Sequence, residues 1–180
     1  MKRSIVTIIV FVVALLATNS VNAQKFSNLD KSPMDAASYP ASYRVSDKVV
    51  KVIYSRPQLK GRQLSKLARN GKVWRTGANE ATEVVFYKDV VFGGKEVKAG
   101  TYTMFTIPGE TEWTIILNTA QNVWGSYMYN DKEDVVRVTG KVSKAAEAIE
   151  AFSIVFDGED ASFNMHLGWG NTVVSVPVKG

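Results

Sequence analysis

The sequence predicts an all-β protein, a β-sandwich of roughly nine short, mostly antiparallel strands with one short helix. Three observations predict it. Side chains alternate with the two-residue period of a strand at Thr101–Ile107 and again from Ser162 to Trp169. Gly, Pro and Asn turns punctuate these runs. Helical patterning is confined to short stretches. A closed β-barrel is the alternative architecture.

Taken in order, Gln24 to Asp47 is mixed and polar, with Pro33 and Pro40, and reads as a linker or loosely docked arm. Residues 48–180 form a single domain. Val49–Tyr54 is its first strand, broken by Ser55–Arg62. Gln63–Arg69 makes one or two helical turns that Asn70-Gly71 closes. Glu83–Tyr87 is a strand. Val90–Phe92 and Lys95–Val97 flank Gly93-Gly94, whose glycines can adopt the positive φ of a two-residue hairpin turn. In Thr101–Ile107, Tyr102 and Met104 share one face. Pro108-Gly109 turns, and Trp113–Leu117 is apolar enough to be covered on both faces. Val136, Val138 and Val142 alternate with polar partners. Ala145–Glu150 has helical composition, but Phe152–Phe156 favours strand. Phe163–Trp169 and Thr172–Val178 complete the set.

The chain opens with Met1-Lys2-Arg3-Ser4, an apolar run from Ile5 to Ala17, and small residues at Val21 and Ala23. That is the layout of a signal peptide over residues 1–23. The apolar run is short for a membrane span; an uncleaved anchor is the alternative. The expected location is the periplasm or outside the cell. With no Cys, disulfides and thiolate metal sites are excluded.

The formal charge is +5. Nine basic residues and no acid lie between Lys48 and Asn79. Such asymmetry fits an anionic partner or an anionic membrane surface; it also fits pairing with carboxylates brought in by folding. Nucleic acid is not expected, because the chain is exported and the basic run lacks regular aromatic interleaving.

The candidate site residues cluster near that run. Arg56 and Arg62 offer donor forks suited to carboxylate, phosphate or sulfate. In Gly71–Thr82, Trp74 and Arg75 point to opposite sides if extended. Gly77 permits an unusual backbone angle, and Asn79 does the same or caps a turn. Glu80 is the first acid after the cations, placed to pair with Arg75 or Arg56. His166 is the only His, and as an acid–base group it has no partner recognisable in the sequence. The acidic turns Asn130–Asp134 and Asp157–Asp160 match no calcium loop, so neither a metal nor a cofactor is assigned. Of four tryptophans, Trp113 reads as core and Trp124 as the best candidate for exposure.

Several of these blocks together resemble a bacterial family, domain of unknown function 2911. They are Tyr54–Pro57, Lys60–Arg62, Gly71–Thr82, Ala99–Tyr102 and Phe105–Pro108, then Trp113, Asn118, Trp124-Gly125 and Leu167–Gly170. The similarity spans about Val49 to Val178. It implies export but supplies no reaction and no catalytic residues. Gln63–Asn70 is more basic and less apolar than the family pattern.

The functional expectation is an envelope domain that binds an anionic small molecule or a glycan through the basic loop region. Arg56, Arg62 and Arg75 would supply charge, Trp74 a stacking surface, and Asn79 and Glu80 hydrogen bonds. The alternative is a hydrolase of an envelope substrate with Glu80 or His166 as acid–base group. It requires both side chains at one pocket. A third reading, a structural partner of other envelope proteins, requires an exposed apolar strand edge.

Overall fold

The computed structural model describes residues 24–180; the signal peptide read over residues 1–23 lies outside the described residues. Nine strands run β1 Met34–Tyr39, β2 Val50–Ser55, β3 Thr82–Phe86, β4 Val90–Phe92, β5 Lys95–Val97, β6 Gly100–Ile107, β7 Glu112–Asn118, β8 Asp134–Glu159 and β9 Ser162–Lys179. One short helix, α1 (Leu64–Leu67), lies where the sequence places it. The strands form one antiparallel sheet in the order β1-β2-β3-β6-β7-β8-β9-β4-β5, which does not close into a barrel. The all-β reading therefore holds and the barrel alternative does not.

Two features differ from the expectation. Part of the arm is structural: β1 pairs with β2 along its whole length. Met34–Tyr39 carries little β-forming sequence; backbone pairing and the stacking of Tyr39 on Phe163 (centroids 3.9 Å apart) hold it. Moreover, not every strand is short, since β8 and β9 run 26 and 18 residues.

These two strands form a ribbon that folds back on itself. The β8–β9 register shifts between Lys144 and Ile149 and again between Ile149 and Ser153. Gly170 adopts φ +60°, a conformation that suits glycine. Beyond that bend Gly180 N donates to Ala161 O (2.8 Å), so the end of β9 returns to its beginning. A straight strand would hold these residues roughly 60 Å apart. The bend also switches the burial pattern. Phe163, Met165, Leu167 and Trp169 are buried before it, and Val174, Val176 and Val178 after it. The alternating set therefore fills one core from both halves.

That core joins inward residues of β2, β3, β6 and β7 to those of β8 and β9. At its centre Trp74 stacks on Trp169 (5.4 Å, 14°) and meets Phe152 and Trp113 edge-on. Each such ring removes about 150–250 Å² from water, an upper estimate of roughly 4–6 kcal/mol at ~25 cal/mol per Å². Trp113–Leu117 is covered on both faces as expected: Trp113, Ile115 and Leu117 face the core, while Ile116 is buried outside that cluster. The outer face of β6 is covered by the segment between β7 and β8, where Phe105 packs edge-on against Tyr129 (5.0 Å). This segment also carries the residues that complete the candidate site.

Candidate functional site

The stretch Gly71–Thr82 crosses from α1 to β3 and bridges to β6 on the way. Trp74 exchanges both backbone hydrogen bonds with Thr106 (2.7 and 2.9 Å), which drives its indole into the core. Trp74 is 7% exposed, so it offers no free ring face to a ligand, contrary to the stacking role expected of it.

The next residues are held in an uncommon backbone path. Thr76 and Asn79 take φ +57° and +61°. Asn tolerates this region, but a β-branched residue does so only where its surroundings enforce it. Here they do: Thr76 Oγ1 contacts Thr106 Oγ1 (3.2 Å), and Thr82 Oγ1 donates to Thr76 O (2.6 Å). Gly77 is absent from the positive-φ set, which corrects its expected role. A Cβ there would sit 3.1 Å from Ser55 O, so the glycine allows close backbone approach.

Beyond the bend the loop is sewn to the β7–β8 segment. Gly125 N donates to Asn79 O (2.9 Å) and Ala81 N to Val123 O (3.0 Å). Glu80 and Trp124 are thereby partners in an isolated antiparallel bridge. Such partners project to the same side with Cβ atoms roughly 4.5–5.5 Å apart. Trp124 is 60% exposed, as its sequence context suggests. Gly125 adopts φ +69° in the same turn, and a Cβ on it would collide with the exposed ring of Tyr127. The two rings present apolar faces to water.

Beside this bridge lies a hollow of about 300 Å³ lined by Ser55, Glu80, Glu83, Thr103, Asn122 and neighbours from β1 and β2. Its charge is acidic, not basic. Among the described residues Glu80 forms no ion pair or side-chain hydrogen bond, so its expected pairing with Arg75 or Arg56 is absent.

The three arginines do not converge. Arg56 is consumed structurally: Nη1 pairs with Asp35 (3.0 Å), Nε donates to Phe152 O, and Nη2 donates to Ser153 Oγ (2.7 Å). It ties β1 and β2 to β8. Arg62 donates Nε and Nη2 to Leu59 O and Gln58 O and lines a separate hollow of about 460 Å³ with Lys31 and Lys60. Arg75 lines neither hollow. Its Nε is buried with no hydrogen-bond partner among the described residues.

A polar cluster that the sequence reading missed anchors the Trp124 segment. Asn118, fully buried, donates Nδ2 to Asp134 Oδ1 (2.8 Å) and to Asn130 O (3.0 Å), and its Oδ1 accepts from Ala120 N. Tyr129 OH donates to Asp134 Oδ2 (2.7 Å), which also accepts from Arg137 Nε (2.7 Å). Burial, reinforced by the Asp134 carboxylate, pushes the Tyr129 phenol up to about 12. The available signal was Asn118 at a strand end followed by an acidic turn, which reads as an ordinary surface turn without the fold.

His166 is far better connected than its sequence shows. One ring nitrogen lies 2.7 Å from Ser175 Oγ and the other 2.8 Å from Asp157 Oδ1. It does not line the hollow that holds Glu80, so the two proposed acid–base groups are not assembled at that pocket.

The family model described as protein of unknown function (DUF2911) matches residues 32–178. The chain belongs to this family. No curated protein and no solved structure matches it. The match to DUF2911 begins just before β1, so the family unit includes the edge strand that the sequence reading assigned to the arm.

Proposed function

We propose that this DUF2911 chain is an exported envelope domain that binds a glycan at the hollow beside the Gly71–Thr82 loop. The observation that carries the reading is the Glu80–Trp124 bridge, which ties an exposed indole to a carboxylate residue of a hollow that Glu80 and Glu83 both line. Sugar hydroxyls donate well to carboxylates, and the amide of Asn122 and the hydroxyl of Ser55 both donate and accept, while Thr103 Oγ1, which already donates to Ala120 O, can accept. The apolar C–H face of a sugar ring packs on an aromatic plane such as Trp124 or Tyr127. An anion would meet Glu80 and Glu83 as like charges, so the anionic reading loses its support at this hollow. The protein-partner reading is weakened at one of the two sheet edges: β5 is three residues long and exposes Lys95 and Glu96, features that discourage strand addition.

The test is a titration followed by tryptophan emission. Trp74, Trp113 and Trp169 are buried, so the exposed indole is Trp124. Neutral envelope oligosaccharides are expected to quench or blue-shift emission, with Glu80→Gln weakening the response and Trp124→Ala removing it. Organic anions serve as the comparison. A response that persists in Trp124→Ala, or appears with anions and not with neutral sugars, refutes the proposal.

A further inference from the structure

The polar face of the folded β8–β9 ribbon brings together three groups from distant positions: Asp157 on β8 and His166 and Ser175 on β9. The ionised carboxylate sets the direction of each hydrogen bond to the neutral ring. Asp157 is 67% exposed and its carboxyl is held below the usual range, first by the His166 bond and then by Asn164 Nδ2. An ionised carboxylate only accepts, so Nε2 of His166 donates to it. In the neutral ring Nδ1 is then the acceptor, and the Ser175 hydroxyl donates to it at 2.7 Å. A hydroxyl on the base side of an imidazole whose other nitrogen is oriented by a carboxylate has the wiring of an activated nucleophile.

A fourth group completes the arrangement. Lys141 is the direct register partner of Ser175 across β8 and β9. Opposed residues place their side chains on the same side, with Cβ atoms roughly 4.5–5.5 Å apart. The Lys141 ammonium is therefore within reach of an oxygen that gains charge next to Ser175. None of these four residues lines the glycan hollow, so this centre is separate from it.

We propose that Ser175, His166 and Asp157 form a nucleophilic centre that takes acyl groups from esters reaching the open face of the ribbon. Ser175 Oγ attacks the ester carbonyl carbon and its proton passes to His166 Nδ1. The carbon–alkoxide bond breaks, and the leaving alcohol takes that proton from the imidazolium. Asp157 keeps Nε2 as the donor throughout, and Lys141 faces the carbonyl oxygen as it becomes negative. Water, deprotonated by the same His166 Nδ1, then releases the carboxylic acid and restores the hydroxyl.

The test uses the intact protein and an alkyl fluorophosphonate, which forms a phosphorus–oxygen bond to an activated serine and releases fluoride. A single adduct mapping to Ser175 by peptide mass spectrometry is expected. His166→Gln should slow its formation at least about 100-fold, the usual scale for removing a general base. Asp157→Asn should also slow it while thermal melting shows the fold intact, which separates chemistry from collapse of the ribbon. Because His166 is the only His, its ring nitrogens can be read directly by NMR, and the Nε2–H tautomer is expected. An unlabelled Ser175 in the native wild type, or wild-type labelling in His166→Gln, overturns the proposal.

Discussion

Glu80 and Trp124 face each other across an isolated antiparallel bridge, flanked by backbone bonds from Ala81 to Val123 and from Gly125 to Asn79. Two loops far apart in sequence thus act as one rigid rim. Asn118, Tyr129 and Asp134 hold one side of that rim, and the buried Trp74 holds the other.

The two tryptophans of this rim should respond oppositely to truncation. Trp124→Ala removes an exposed ring and should change stability by less than about 0.5 kcal/mol. Trp74→Ala empties the centre of the aromatic cluster and should cost about 3–5 kcal/mol. Urea denaturation of both variants checks the contrast. Equal losses would show that Trp124 packs as a core residue.

Arg75 invites the reverse experiment. Its Nε is buried without a partner among the described residues, and an unsatisfied buried donor carries a desolvation cost. Arg75→Met keeps the aliphatic length and deletes that donor. Stability should stay level or rise by up to about 1 kcal/mol. A loss larger than that in denaturant titration would mean the guanidinium contributes bonds that the folded chain needs.

Much of this fold was legible because its signals are local. Gly93-Gly94 between Val90–Phe92 and Lys95–Val97 marked the β4–β5 hairpin, and both glycines do take positive φ. Trp113–Leu117 announced burial on both faces through its composition alone. The β1 strand was not legible, because Met34–Tyr39 is specified by pairing with β2 and by Tyr39 against Phe163, both long-range. The site was legible in place but not in chemistry. The Gly71–Thr82 block does border a hollow, yet alternation cannot say which of Trp74 and Arg75 turns inward. Nor can it show that Asp35, from the supposed arm, takes Arg56. The partners of His166 were hidden because Ser175 reaches it only through the fold-back of β9.

The Asp157–His166 contact sets an acid-side dependence. The folded-state pKa of Asp157 is lowered, so its contribution to stability is complete above the usual carboxylate value of about 3.9. It is lost as pH falls through the lowered value. In stability measured against pH, wild type minus Asp157→Asn should therefore shrink in acid, below the usual carboxylate value. Because the carboxylate is largely exposed, added salt should reduce the difference. A difference that persists unchanged as pH falls through the lowered value would contradict the pairing.

Tyr129 sets the corresponding dependence in alkali. Burial is the main cause of its raised pKa, with the Asp134 carboxylate adding to it and Arg137 opposing it. The folded value of about 12 lies above the usual phenol value of about 10. The contribution is therefore fully present below about pH 10 and is lost as pH rises through the folded value. The wild type minus Tyr129→Phe difference in near-ultraviolet phenolate absorbance should show the Tyr129 phenol titrating late. The same variant should loosen the segment that carries Trp124, since Asp134 then keeps only its bonds from Asn118 and Arg137. Faster amide hydrogen exchange at residues 119–130 with the core unchanged is the expected result. A Tyr129 that ionises near the usual value would show that its phenol is solvated and does not anchor the rim.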